Sequence, residues 1–430
     1  MDYDLAVIGA GWAGFNACLR AKELGLKVCL IEKNEIGGTC LNRGCIPTKT
    51  LIYSSKVYSI CKKASLFGIE TSPFKVNFAQ VRARKNKIIQ QLRQGMEFSL
   101  KGVDYIKAEA RILSPNRLKI GEKELNIKSI LIATGSKPFE LSNFKFDGKK
   151  IFSSDDILEL EIIPASLLII GGGVIGCEFA SLFNAFGTEV TIAEKLPQLL
   201  PNEDAEIAKK LETIFKKRKI KINTATDANT LNLDNFELVL VCVGRVPQTA
   251  GLGLEQAGIK LDRGKITVDD FLKTTVPDIY SAGDCCSKIM LAHFAAYQGR
   301  IAAENIARPD LAKKADNPNV PNCIFTDPEV ASVGLTEAAA KNKGIEIEIK
   351  RFDFLASGMA RILEEAEGFL KIISAKKTGE ILGAVIIGPR ATELIATLTM
   401  AVTSHLSLAQ VREIIFAHPS LSEVIGETLK

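Results

Sequence analysis

An α/β protein built from two Rossmann-like dinucleotide-binding units and a C-terminal α+β segment is predicted by three features of the sequence. A strand, glycine loop, helix and strand follow one another at the N-terminus. The same pattern returns 162 positions later, from Gly9 to Gly171, and the chain changes to strand-dominated runs from about residue 317. A length of 430 residues exceeds one ordinary core and suggests two or three units on the usual scale of about 150 residues each. The hydrophobic fraction of 47% is too high for a disordered chain, so extensive buried sheets are expected.

In the first copy, Leu5 to Ile8 reads as a buried strand, Gly9-Ala10-Gly11-Trp12-Ala13-Gly14 as the loop, the stretch to Leu24 as a helix, and Lys27 to Glu32 as a second strand. Gly9 permits the tight turn, Gly11 lets a pyrophosphate reach the backbone, and Gly14 lets helix and strand pack closely. The phosphates then sit at the helix N-terminus, and Glu32 is placed to accept from ribose hydroxyls. In the second copy, Leu167 to Ile170 leads into Gly171-Gly172-Gly173-Val174-Ile175-Gly176, a helix to Phe186 and a strand from Glu189 to Glu194. Both copies place the acid 23 positions after the first glycine (32 − 9 and 194 − 171). A single glycine loop is weak evidence, but strand, helix and acid repeated in register point to two dinucleotides. A carboxylate at Glu194 favours a free 2′-hydroxyl and repels a 2′-phosphate, so NAD is expected there rather than NADP.

Ten cysteines are scattered through apolar segments, and Cys40 and Cys45 stand apart in Gly37-Gly38-Thr39-Cys40-Leu41-Asn42-Arg43-Gly44-Cys45-Ile46-Pro47-Thr48-Lys49. Five positions apart on a regular helix, their side chains diverge by about 140°, so a disulfide requires a break, which Gly44 allows. Pro47 suits a first helical position and puts Cys45 at or just before a helix N-terminus, where the dipole stabilises a thiolate. A structural zinc site or two incidental core thiols are the alternatives. Zinc lacks the further His or Cys ligands at close spacing, and Cys285-Cys286 is poor clamp geometry, so no metal is expected.

The formal charge of +5 and the short basic runs at Lys216 to Lys219 and Lys313 to Lys314 give no nucleic-acid surface. The chain opens directly on strand-like Tyr3 to Ile8, leaving no room for a signal peptide, and no run of 18 apolar residues spans a membrane. The expected location is the cytoplasm. Of the three histidines, His418 precedes Pro419 and is biased to an extended backbone from which its ring projects. His405 reads as a packed or surface residue on an amphipathic stretch, and Glu423 closes a Ser-Leu-Ser-Glu capping box.

These motifs, with Ala133-Thr134-Gly135, Glu178, Val243-Gly244-Arg245-Val246-Pro247, Ser281-Ala282-Gly283-Asp284, Met290-Leu291-Ala292-His293, Thr326-Asp327-Pro328-Glu329-Val330 and His418 to Glu423, resemble the class I pyridine nucleotide-disulfide oxidoreductases over nearly the whole chain. The resemblance implies one non-covalent FAD per subunit, NAD as hydride acceptor, and oxidation of protein-bound dihydrolipoamide. It implies an FAD domain at 1–147 and 269–316, an NAD domain at 148–268, and a dimerisation domain at 317–430. Cys40 becomes the interchange thiol and Cys45 the thiol against the flavin. Lys49 and Glu178 pair near the isoalloxazine, and His418, oriented by Glu423, is the acid/base acting on the disulfide of the opposite subunit of a homodimer.

The FAD contacts it implies are Gly9, Gly11, Gly14, Glu32, Lys33, Gly38, Thr39, Lys49, Ala110, Thr134, Gly135, Gly283, Asp284 and Ala292, with His293 structural beside the flavin. The NAD contacts are Gly171, Gly173, Val174, Ile175, Gly176, Glu194 and Gly244. Lipoyl domains of a 2-oxo acid dehydrogenase or glycine cleavage complex are the implied partners. The other readings are an NAD(P)H-dependent reductase of another small disulfide and a non-catalytic flavin-binding subunit of an assembly. A metal-reducing relative would carry a C-terminal cysteine pair, and no cysteine follows Cys323.

Overall fold

The structure is a computed structural model and describes residues 1–430. Its contacts divide into two units. One consists of Met1–Thr50, Ala79–Phe139 and Gly244–Asp316, the other of Leu51–Phe78, Glu140–Val243 and Asn317–Lys430.

In the first unit, Leu5, Ala6, Val7 and Ile8 are four successive apolar residues. Such a run needs cover on both faces, which the centre of a parallel sheet supplies. All four are buried in the strand Tyr3–Ile8. This strand lies parallel between Val28–Glu32 and Lys123–Ile132, with Asp104–Lys107 and Ile279–Ser281 as the next parallel neighbours outward. Arg117–Ile120 and Ala110–Ser114 extend the sheet antiparallel from the other half of Lys123–Ile132. The helix Trp12–Glu23 packs on Ala292–Ala307. The approach is close enough that a Cβ on Gly299 would fall 2.1 Å from the Ala13 carbonyl oxygen. A two-stranded ribbon, Ser136–Pro138 against Arg245–Pro247, forms where the chain of this unit breaks off and resumes.

The second unit repeats the first arrangement. Leu167 to Ile170 are buried in the strand Ser166–Ile170, parallel between Glu189–Ala193 and Leu238–Val241, with Lys221–Asn223 and Ile151–Phe152 at the edges. Its C-terminal part is an antiparallel sheet of Asn322–Ile324, Glu329–Gly334, Ile381–Gly388, Phe369–Ala375 and Ile347–Asp353 in that order. Phe369–Ala375 is not amphipathic, as an open sheet would make it, because six consecutive residues are buried.

Among these buried residues is Lys371, whose Nζ lies 2.7 Å from Asp204 and 3.2 Å from Glu206. Burial acts to lower its pKa, but the hydrogen bond and charge of Asp204 outweigh it and the ammonium is stabilised. No helix is long and apolar enough to cross a membrane.

Candidate active site

Both glycine loops are built alike. Gly9 and Gly171 stand at φ 106° and 110°, a left-handed region that favours glycine, and a Cβ on either would strike the carbonyl oxygen of Ala133 (2.4 Å) or Cys242 (2.6 Å). A Cβ on Gly14 would lie 1.9 Å from the Gly9 carbonyl, and one on Gly176 1.9 Å from that of Gly171. Chain packing alone therefore explains the first and third glycines.

It does not explain the second. A Cβ on Gly11 would meet nothing nearer than Gly38 Cα at 4.0 Å, and one on Gly173 nothing within 4 Å. Both cap a helix from an extended backbone, at Trp12–Glu23 and Val174–Phe186. Open space over a glycine at a helix N-terminus suits a pyrophosphate approaching the amides. The acids complete the repeat. Glu32 accepts from the Ala10 amide (2.8 Å) and Asn34 (2.7 Å), and Glu194 from Gly172 (2.6 Å) and Leu196 (2.7 Å). Each carboxylate braces its own loop at the end of the second strand, where a ribose would lie.

The cysteine segment folds against the first loop. A Cβ on Gly38, at φ 57°, would lie 2.7 Å from Gly11 Cα, which brings residues 37 and 38 beside the open glycine. Thr39 and Cys40 belong to a short helix, Gly38–Arg43, and Cys45 begins the longer helix Cys45–Lys62. Gly44 breaks the two apart, and a Cβ there would press on Thr39 O at 3.0 Å and Cys40 Cα at 3.4 Å. The break expected for bridging the two sulfurs is thus present, and Cys45 occupies the first helical position. Pro47, expected at the first helical position, sits instead at the third, still within the first turn where its missing N–H costs no helical hydrogen bond.

Both residues are thiols in this structure. The Cys40 thiol is held well above its ordinary pKa, first by its hydrogen bond with Cys45, then by burial and by negative charge on Cys45, with Lys49 opposing. That balance disfavours a thiolate at Cys40.

Segments far apart in sequence close around this loop. Ala133 and Thr134 lie against Gly9, Gly283 against Ala13, and Asp284 accepts from Ser136 at 2.5 Å. The Thr134 hydroxyl oxygen is buried with no hydrogen-bond partner. An orphaned buried hydroxyl on the residue that lies against Gly9 of this loop fits a polar ligand such as FAD. Gly135 (φ 73°) completes the Thr134 turn, and Ala292 opens the helix Ala292–Ala307, with His293 exposed beside it. Lys33 is exposed and pairs with Glu109 (3.3 Å), and Ala110 is buried in its strand.

In the second unit, Val174 and Ile175 begin the helix after Gly173, and Gly244 (φ 131°) falls on the ribbon side of the division. Glu178 is buried, with Oε1 accepting from the Phe325 amide at 3.0 Å. His418 Nδ1 lies 2.7 Å from Glu423 Oε1, while Glu423 Oε2 accepts from the Ser420 amide at 2.8 Å. Glu423 therefore divides its two oxygens between His418 and Ser420, but the capping box expected at Ser420 does not form: the helix Glu423–Thr428 is preceded by Ser422 with no side-chain cap hydrogen bond, and the Ser420 hydroxyl pairs with that of Ser422. Its carboxyl is held below the usual range by Ser420 and then His418. The imidazole is 81% exposed, so Nε2 faces outward from a ring held by Nδ1. His405 makes a similar 2.7 Å contact with Glu380.

Residues not singled out in the sequence also hold the site. The Asn42 amide donates to Ile36 and Gly38 carbonyls (both 2.9 Å) and its oxygen accepts from Arg93 Nε (2.6 Å), pinning the turn before Cys45. An asparagine inside a glycine-flanked helical turn was the available signal.

Residues 3–299 match the family described as pyridine nucleotide-disulphide oxidoreductase, and residues 320–429 match its dimerisation domain. The chain belongs to the pyridine nucleotide-disulphide oxidoreductase family. Like other members it is an oxidoreductase and a flavoprotein, with non-covalent FAD and NAD as cofactors. With the family's dimerisation domain, it is a homodimer. It is 40% identical to a dihydrolipoyl dehydrogenase of Chlamydia pneumoniae, over 99% of this chain and 96% of that protein. It is 37% identical to one from Bacillus subtilis, covering 99% and 97%. Among solved structures it is similar to LpdA from Mycobacterium tuberculosis, with a TM-score of 0.91 and 28% identity over 99% and 98% of the two chains. It also resembles the HOCl-induced flavoprotein disulfide reductase RclA from Escherichia coli, with a TM-score of 0.89 and 29% identity over 99% of each.

Proposed function

We propose that this protein oxidises the dihydrolipoamide arm of a lipoyl domain, in a 2-oxo acid dehydrogenase or glycine cleavage complex, and passes the electrons to NAD. The observation that carries the reading is the Cys40 and Cys45 pair, in hydrogen-bonding reach of one another across the Gly44 break and seated on the first glycine loop.

With the pair oxidised, His418 takes a proton from one substrate thiol through Nε2, while Glu423 holds Nδ1. The substrate thiolate attacks Cys40 Sγ, a substrate–Cys40 bond forms, the Cys40–Cys45 bond breaks, and Cys45 leaves as thiolate. The second substrate thiol then closes the ring and expels Cys40, its own proton passing to the departing Cys40 sulfur, while the first proton leaves His418 for solvent. Two electrons now rest on the cysteine pair, with the proton on Cys40, whose thiolate its environment disfavours, and the charge on Cys45. FAD, when bound, supplies the two-electron acceptor between this pair and the nicotinamide.

Residues 1–147 and 269–316 are assigned to FAD, 148–268 to NAD and 317–430 to dimerisation. Gly9, Gly11, Gly14, Glu32, Thr134 and Asp284 serve the flavin, and Gly171, Gly173, Gly176 and Glu194 the nicotinamide nucleotide. Lys49 also serves the flavin. His418, exposed on the single chain, serves the disulfide of the second subunit.

Purified protein mixed with dihydrolipoamide and NAD is expected to produce reduced nicotinamide. Its Cys45→Ser variant is expected to lose that activity, by at least about a thousandfold, while still passing electrons from NADH to an artificial acceptor. The likeness to RclA supports a second reading, reduction of another disulfide, which would appear as faster NADH oxidation with that disulfide than with lipoamide. No turnover at all with FAD fully bound would contradict both and leave a binding subunit.

A further inference from the structure

Arg245, in the run Gly244-Arg245-Val246-Pro247, has no part in the chemistry above, yet it is wired to Ser136 and through it to Asp284 in the first unit. Arg245–Pro247 pairs antiparallel with Ser136–Pro138, with Arg245 opposite Pro138 and Pro247 opposite Ser136. The ribbon is closed by Phe139 donating to the Gly244 carbonyl (3.0 Å) and Gln248 to that of Gly135 (2.9 Å). On this frame the Arg245 guanidinium grips Ser136 twice, Nε donating to the hydroxyl at 2.8 Å and a terminal nitrogen to the carbonyl at 2.9 Å. The hydroxyl is left with one proton, and it donates this to Asp284 Oδ2 at 2.5 Å.

Ser136 is buried, so water does not replace that bond freely. A hydroxyl that accepts from a cation and donates to a carboxylate is polarised in one direction and has one orientation. The same bond fixes the Asp284 carboxylate, whose Oδ1 accepts from no residue of the chain and remains available to a ligand hydroxyl.

We infer that Arg245 and Ser136 are positioning residues for FAD: through the Ser136 hydroxyl they orient the Asp284 carboxylate toward the polar, hydroxyl-bearing part of the cofactor. The inference rests on the reading that Asp284 contacts FAD, and the test separates the two. FAD affinity is measured by fluorescence titration of the apoprotein for wild type, Asp284→Asn, Ser136→Ala, Ser136→Thr, Arg245→Gln and the Asp284→Asn/Ser136→Ala double variant, with thermal midpoints of each apoprotein alongside.

Ser136→Ala is expected to weaken FAD binding about tenfold, and Ser136→Thr, which keeps the hydroxyl, by less than about twofold. Arg245→Gln, which leaves a donor without the charge, is expected to fall between them. The double variant should bind no more weakly than Asp284→Asn alone, because the hydroxyl acts only through that carboxylate. If Asp284→Asn binds FAD as wild type does, the reading of Asp284 fails and this inference with it. If Asp284→Asn weakens binding and Ser136→Ala does not, or if the two losses simply add, the relay is refuted while the reading of Asp284 stands. A lowered apoprotein midpoint with unchanged FAD affinity likewise refutes it, by making the relay a structural tie alone.

Discussion

The loops Gly9 to Gly14 and Gly171 to Gly176 are two copies of one turn set in different surroundings. Their first glycines differ by 4° in φ (106° and 110°), and the Cβ clash of the third glycine is 1.9 Å in both. Around the first, residues 37–38, 133–134 and 283 converge from distant parts of the chain, and a thiol pair and an orphaned hydroxyl stand beside it. Around the second, the nearest neighbours belong to its own fold: Cys242 and Glu194, each directly after a strand, and Leu199 in the following loop. A cage assembled from many segments suits a cofactor that stays bound through every cycle. A loop with local neighbours only suits one that enters and leaves. The repeated turn supplies the anion site, and what the rest of the chain adds decides how long the ligand remains.

Substitutions can break this comparison at graded strength. The largest effect is expected where the copies are most alike: Gly14→Val and Gly176→Val each drive a side chain into backbone that cannot yield. Both should lose the cooperative thermal transition of the wild type, and a midpoint within a few degrees for either would contradict the packing explanation.

The second glycines should then separate the copies. Gly11→Ala meets no protein atom closer than 4.0 Å, so the apoprotein should fold with an unchanged midpoint while FAD affinity falls about a hundredfold, read by flavin fluorescence. Gly173→Ala should retain full FAD content and raise the KM for NAD about tenfold or more, with little change in dithiol binding. Flavin loss from Gly173→Ala, or none from Gly11→Ala, would reverse the assignment of the loops.

The acids sharpen the contrast further. Glu194→Gln keeps the shape that braces Gly172 and removes the charge that repels a 2′-phosphate, so the ratio of kcat/KM for NAD over NADP should fall about tenfold. Glu32→Gln, on the loop assigned to FAD, which has no 2′-phosphate, should change FAD affinity only a few-fold.

The smallest effect is expected at His405. Its contact with Glu380 matches that of His418 with Glu423 at 2.7 Å, yet His405→Gln should leave turnover within about twofold, whereas His418→Gln should lower it about a hundredfold or more. Equal losses would show that the His–Glu contact, and not its placement, had been mistaken for function.

Much of the site was legible in the sequence, for a physical reason. Parallel strands buried on both faces leave continuous apolar runs such as Leu5 to Ile8, and turns that forbid a Cβ leave glycines at fixed intervals. Both are local in sequence. The Gly44 break and the helix starting at Cys45 were likewise expected, because a disulfide cannot form across an unbroken helix at that spacing.

The long-range partners were not legible. Nothing local marks Ser136 as the link between Arg245 and Asp284, or Lys371 as a buried ammonium held by Asp204 and Glu206, since each is defined by segments more than 100 residues away. The division of Glu423 between His418 and Ser420 also escaped, because spacing does not say how two carboxylate oxygens share two donors.

The most direct test is anaerobic reduction of the FAD-loaded protein with dihydrolipoamide, followed at long wavelength. If Cys45 carries the charge of the reduced pair beside oxidised flavin, two electrons per subunit will produce an absorbance band beyond the main flavin peak. Cys40→Ser will show such a band without reductant, and Cys45→Ser will show none. Direct bleaching of the flavin with no such band in the wild type, or a band that survives Cys45→Ser, would contradict the account.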